Sequence, residues 1–368
     1  MESQFSFGTL NYLILFSYLA LMLGIGFRLS RRQTSTEEYF LAGRRMPWFI
    51  VALSMFASVT SAITYIGVPG TVYAENTSIV LAAIISPLVT PFLIYLFYPF
   101  YRRLKVTTSY EYIQRRYGDG ARYAVSVLFL FARLGWLGTV IYVPALTLSV
   151  VTGINLTLAI LLMGILATVY TVLGGLAAVL WTDALQFVIL IGGALWVALE
   201  LIQSVEGGIG GILVFGSQAG RVQLDNWTPS LYELSAPVIL VSYFFQYMQD
   251  YGTDQVTVQR LLAVKTFRGM VKSVFFNSFI DFFIIVLLTF IGLGLFVYFQ
   301  QHPEALAPGI ERNQILPFYI MAVLPQGVSG LVITGIFAAA MSTLSSSLNA
   351  SASTTVADFY MPATGGRR

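Results

Sequence analysis

Residues 54–70 read SMFASVTSAITYIGVPG. They lie inside an apolar run over about 47–72, yet they carry Ser54, Ser58, Thr60, Ser61 and Thr64, followed by Gly67, Pro69 and Gly70. An apolar run of that length predicts a helix that crosses a membrane. Hydroxyls at mid-span and a Gly-Val-Pro-Gly close predict that this helix opens before Gly70. Proline removes a backbone donor, and glycine accepts unwound conformations. In lipid, freed carbonyl oxygens must be satisfied, and a bound cation can do it. The plainer reading is a proline-kinked helix whose small residues pack closely against neighbours.

Working outward, the chain has 368 residues, of which 57% are hydrophobic and 10% charged. A soluble domain carries about 25% charged residues, so a water-facing surface is excluded. Nine apolar runs predict spans at about 8–29, 47–72, 79–100, 123–150, 156–173, 178–203, 235–250, 273–299 and 327–348. The seventh is short and leads into an amphipathic stretch, 250–264, which reads as a broken helix or as a helix followed by a surface helix. The first is too long for a signal peptide and lacks a cleavage site. The 204–234 loop is Gly-rich, and residues 1–368 read as a single membrane domain. Aromatic residues near run ends suit the interfacial belts.

All but three of the 20 Lys and Arg residues fall in segments 28–45, 101–122, 260–272 and the C-terminal tail; the exceptions are Arg133, Arg221 and Arg312. This asymmetry predicts a cytoplasmic basic side in a cell membrane, with the N-terminus outside and the C-terminus inside. Basic residues that flank spans also account for the net charge of +3 and argue against nucleic-acid binding. The chain has no Cys, and its one His, His302, sits in a polar loop. No thiolate site, disulfide or Cys nucleophile can form, and no cofactor is expected.

Polar groups inside spans mark functional positions. In the ninth span Ala339, Ser342, Thr343 and Ser346 follow i, i+3, i+4, i+7 spacing and share one face, with Ser345 beside them. Such a face offers hard, neutral oxygens that suit an alkali cation; the alternative is a small-residue packing seam. Asp183 starts the sixth span and reads either as a site residue or as a first-turn acid favoured by the helix dipole. Arg133 is the one basic residue deep in a span. It faces an anionic solute, snorkels to the interface, or pairs with Asp183 or Asp281. Trp136 lies one turn on.

Several motifs then fall in a fixed order: Tyr39-Phe40-Leu41-Ala42-Gly43-Arg44-Arg45, Tyr170-Thr171-x-x-Gly174-Gly175-Leu176-x-Ala178, Trp181-Thr182-Asp183, Gln259-Arg260 and the Ser-rich ninth span. Together they resemble the sodium:solute symporter family, which includes bacterial proline, sugar and sialic acid symporters and animal glucose, iodide and monocarboxylate carriers. The resemblance implies an all-α, polytopic LeuT-like inverted-repeat bundle with one extra N-terminal helix at 8–29. Its first five-helix repeat would span 47–203 and a partial second repeat 235–358, with the last two helices of that repeat beyond this sequence. It implies sodium as the coupling ion. One sodium site would use Ala57, Thr60, Ala339, Ser342 and Thr343. A second would use Asp183, Ser342, Ser345 and Ser346, which favours two ions. Ser61, Thr64, Arg133 and Trp136 are the solute candidates.

The expected function is therefore sodium-coupled import of a small organic solute across a lipid bilayer. The wording of the second span is closer to the monocarboxylate, vitamin and iodide branch than to the sugar branch, which points to a carboxylate. The rival is a symporter-like sensor or regulatory module that transports nothing. An intramembrane enzyme would need a nucleophile with a base or a metal cluster in the spans.

Overall fold

The apolar runs fold as helices, because a backbone in lipid must satisfy its own hydrogen bonds. The structure, a computed structural model, describes residues 7–365 except 32, 105, 225 and 229–234. Of the basic segments above, Arg32, Lys105, Arg367 and Arg368 lie outside the described residues. In chain order the principal helices are α1 (Thr9–Ser30), α2 (Trp48–Val59), α3 (Ala62–Ala74), α4 (Thr77–Leu104, with 3-10 and π segments), α5 (Tyr110–Tyr117), α6 (Asp119–Thr152) and α7 (Leu156–Ser204). They continue with α8 (Gly208–Gln218), α9 (Ala236–Gly252), α10 (Gln255–Leu262), α11 (Phe267–Gln301), α12 (Ile315–Val323) and α13 (Val328–Thr355).

Every expected span coincides with helix, with differences of form in three places. The second is two helices, α2 and α3, bent by 60° at Thr60–Ser61. The opening does not lie at Gly67–Gly70, where the sequence pointed. The stretch stays helical, and Pro69 and Gly70 each meet a close neighbour there. A Cβ on Gly70 would meet the Arg312 carbonyl oxygen at 2.5 Å, and one on Gly292 would meet the Pro69 oxygen at 2.7 Å.

The fifth and sixth spans have no loop between them. They form α7, whose 49 residues would run about 73 Å if straight, more than twice the hydrocarbon thickness. Gly175 interrupts it with φ 56 and ψ −156, a conformation open essentially to glycine. The bend also lets the Tyr39 carbonyl approach: a Cβ there would sit 2.6 Å from it.

The seventh span, α9, ends at Gly252, and α10 restarts after Thr253 and Asp254. Every residue of α10 is buried, so the stretch is the second half of a broken helix and not a surface helix. In the most apolar window, α13 is 89% buried and α11 78%, against 11% for α6. The first two are therefore the hub, and α6 lies at the rim. α13 packs chiefly on α7, with α1 and α6 alongside; α11 packs on α2, α3 and α7.

α1 also fixes the start of α13. Asn11, buried, accepts hydrogen bonds from the backbone N–H groups of Gly327 (2.8 Å) and Gly330 (3.1 Å) and donates to Ser329 Oγ (3.1 Å). Those amides belong to the unpaired first turn of a helix, so a side chain from α1 caps α13.

Two arginines counted in the basic segments are not surface residues. Arg122 is buried and paired with Asp358 just beyond α13 (Nε 3.0 Å, Nη2 2.5 Å), with Thr108 and Ser126 on the same carboxylate. Arg260, on α10, is wholly buried.

Candidate functional site

At the first break, α2 ends because Thr60 takes extended backbone (ψ 95), and α3 starts with Ser61 as its N-cap, accepting from the Thr64 N–H at 3.4 Å. Serine and threonine favour such ends because their hydroxyls replace backbone partners. The last turn of α2 is thereby left with carbonyls outside the helical ladder. One of them, Ala57 O, accepts from Ser342 Oγ of α13 at 2.5 Å. Ser342 Oγ also lies 3.0 Å from Ala339 O, and Thr343 Oγ1 donates to the same oxygen at 3.2 Å. Two carbonyls and two hydroxyls thus converge on one seam between α2 and α13, all buried, with Thr60 three residues on at the break itself.

One turn along α13 the seam becomes charged. Asp183 of α7 accepts through Oδ2 from Ser54 Oγ (2.6 Å) and from Arg260 Nη2 (3.0 Å), with Ser346 Oγ at 3.5 Å. Arg260 further donates to Ser54 Oγ (2.9 Å), to Val256 O (2.8 Å) and to Ser346 Oγ. Asp183 Oδ1 is buried with no partner. Ser345 turns its hydroxyl to the Ser342 carbonyl at 3.1 Å. The sequence placed Arg260 on the cytoplasmic surface and missed this role. Its flanks, Val258, Leu261 and Leu262, were the available signal.

The second break builds the wall of a cavity of about 690 Å³. Ser61 and Thr64 line one side, Arg133 and Trp136 of α6 another, and Gln246, Gln249, Asp250, Thr253 and Asp254 a third. All four solute candidates therefore face one space. Asp254 caps α10, accepting from the Val256 N–H at 2.8 Å, and forms an ion pair with Arg133. Arg133 thus pairs with Asp254 and not with Asp183 or Asp281. Its helix neighbour Phe129 lies under the guanidinium, 5.3 Å from carbon to ring centroid. Tyr110, outside the spans, closes one end of the cavity. Burial first, and the Asp254 charge second, raise its pKa above the usual tyrosine range, so it remains a donor.

These parts define a membrane transporter in which a broken helix meets a hydroxyl-lined partner beside a polar cavity. The sodium:solute symporter family model matches residues 39–365. The sodium/sialic acid symporter SiaT of Proteus mirabilis is 33% identical over 355 residues, covering 96% of this chain and 72% of the relative. Sodium-coupled monocarboxylate transporter 2 of Mus musculus is 32% identical, covering 96% of this chain and 58% of its own length. A solved structure described as the substrate-bound outward-open state of a Na+-coupled sialic acid symporter matches with a TM-score of 0.94 at 33% identity, covering 97% of this chain and 76% of that one. The chain is a LeuT-like secondary transporter and not an enzyme. It belongs to the sodium:solute symporter family, with sodium as its coupling ion.

Proposed function

We propose that the chain imports a small organic acid bearing hydroxyl groups, an acidic sugar of the sialic-acid kind, together with two sodium ions. The observation that carries this reading is the meeting of Arg133 with the start of α3 in one cavity. A guanidinium and the amides of a helix N-terminus both favour a carboxylate. On binding, the carboxylate takes over the guanidinium from Asp254. The freed Asp254, with Asp250, Gln246, Gln249 and Thr253, then meets the hydroxyls. A volume of about 690 Å³ lies within the ordinary range for small-molecule sites.

The first ion would be held by Ala57, Thr60, Ala339, Ser342 and Thr343, and the second by Asp183, Ser342, Ser345 and Ser346. Neutral oxygens 2.5–3.2 Å apart suit a hard monovalent cation, and the unpartnered Asp183 Oδ1 supplies an anionic ligand. Charge bookkeeping favours two ions. A monoanion moving with one sodium is electroneutral and draws nothing from the membrane potential. With two, one net charge crosses 100 mV for about 2.3 kcal/mol. Two tenfold gradients add about 2.8 kcal/mol, enough for accumulation on the order of 5,000-fold. The basic residues at the ends of the spans support an inward-facing C-terminus and an outward-facing N-terminus in a cell membrane.

The test is uptake by the full-length protein in proteoliposomes under an inward sodium gradient. N-acetylneuraminate should accumulate, lactate should compete weakly and glucose not at all. Arg133→Gln should abolish uptake while leaving sodium binding within about threefold of wild type. Preferential uptake of lactate would replace the acidic sugar by a simple monocarboxylate, and uptake of glucose alone would remove the carboxylate reading.

A further inference from the structure

Three aspartates are buried in the bundle among the described residues. Asp183 and Asp358 each have an arginine, namely Arg260 and Arg122. Asp281, at mid-length of α11 and 3% exposed, has none among the described residues. Its Oδ2 accepts from three neutral donors: Ser86 Oγ of α4 (2.9 Å), Tyr251 OH of α9 (2.7 Å) and Asn277 Nδ2 one turn back on α11 (2.9 Å). The nearest titratable neighbours, all on α9, are Asp250, itself an acid, and Tyr247 and Tyr251. α2 carries no titratable side chain and α3 only tyrosines. Asp183 of α7 and Arg260 of α10 are engaged with each other, and α4, which supplies Ser86, carries its titratable groups, Tyr95, Tyr98, Tyr101, Arg102 and Arg103, nine or more residues further along the helix.

A buried carboxylate without a counter-charge is costly and either binds a cation or takes up a proton. One hydrogen on the carboxyl group removes the unpaired charge. Three donor hydrogens already point at Oδ2, so a sodium ion there would have to displace them, whereas a proton would not.

We propose that Asp281 is a proton-binding site, holding a proton as a neutral acid and linking proton uptake to the break in α9. Tyr251 precedes Gly252, the last residue of α9, and stacks on Tyr247 at 5.5 Å. Motion at the break withdraws the Tyr251 hydroxyl and changes how firmly the proton is held. On release, the O–H bond of Asp281 breaks, the proton passes to water, and the carboxylate remains with Ser86 and Asn277.

Infrared difference spectra of the full-length protein in lipid nanodiscs, titrated with pH in sodium-free buffer, test this without any transport readout. Wild type should show a protonated-carboxyl band that shifts in D₂O and is absent from Asp281→Asn. An acid held protonated in the fold, but ionised when unfolded, makes stability fall as pH rises above the ordinary aspartate range. Wild-type thermal stability should therefore decline as pH rises from the ordinary aspartate range until the buried acid ionises and level off above that point, while Asp281→Asn, which mimics the neutral acid, should fold and show no such decline. The same band in Asp281→Asn, failure of that variant to fold, or a band that appears only on sodium removal at every pH would each overturn the assignment. Because solute and sodium uptake play no part, failure here leaves the carboxylate reading standing, and the reverse also holds.

Discussion

Two helices of this molecule are interrupted beside one cavity, and the interruptions are chemically opposite. At Thr60–Ser61 the gap is bounded by neutral oxygens: a serine cap, the Ala57 carbonyl and the hydroxyls of α13. At Thr253–Asp254 it is bounded by charge: an aspartate cap paired with Arg133, and nearly two turns on, Arg260 paired with Asp183. Both solve the same problem, since an opened helix in lipid leaves backbone groups to satisfy. A neutral gap presents dipoles with no ion of its own, which suits a cation that must come and go. A charged gap is already neutralised by fixed partners, so a ligand enters only by exchanging with one of them. On the reading proposed above, the first break handles the ion and the second the solute.

The most severe way to break this contrast is to unpair the charged side. Arg260→Gln would leave Asp183 ionised and buried, a change that costs about 3–5 kcal/mol. Thermal unfolding in detergent should show a large fall in stability, and Arg260→Gln with Asp183→Asn should recover much of it. If the single and double variants were equally damaged, the pair would not be the unit that holds α10 to α7.

Next comes the neutral side. Ser342→Ala removes a hydroxyl shared by both proposed ion sites, and hydrogen bonds to charged groups contribute about 1.5–3 kcal/mol. Sodium affinity, read by isothermal calorimetry, should weaken by about 10- to 100-fold with the fold intact. Wild-type affinity in that variant would move the ion elsewhere.

The smallest expected effect sharpens the comparison. Ser61→Ala removes the N-cap of α3 at about 1 kcal/mol, since the neighbouring hydroxyls remain. Asp254→Ala removes both the cap of α10 and the partner of Arg133, so it should cost several-fold more. Equal losses in a thermal scan would mean that the two breaks are held by the same kind of force.

Much of this was legible in the sequence, for physical reasons. Span positions follow from hydrophobic runs set by bilayer thickness, and the hydroxyl face of α13 follows from helical periodicity. The break in the second span was misplaced by several residues. Gly67, Pro69 and Gly70 look like breakers locally, but α11 packs against Pro69 and the loop at Arg312 against Gly70, and the stretch stays helical. Ser61, whose capping role decides the break, is one hydroxyl among several in the primary sequence. Arg260 was misplaced for a related reason, its apolar flanks aside. Its partners, Asp183, Ser54 and Ser346, are 77 to 206 residues away, and a short helix with an arginine looks superficial until its neighbours are known.

Asn11 carries a consequence of its own. It lends its amide to the opening turn of α13, although α1 contributes nothing to the cavity or to either proposed ion position. The first helix is thus a bracket, and it sets the axial height at which the serine ladder of α13 stands beside the gap in α2. A shift in that bracket would alter ion affinity from a distance, with every coordinating group still in the chain.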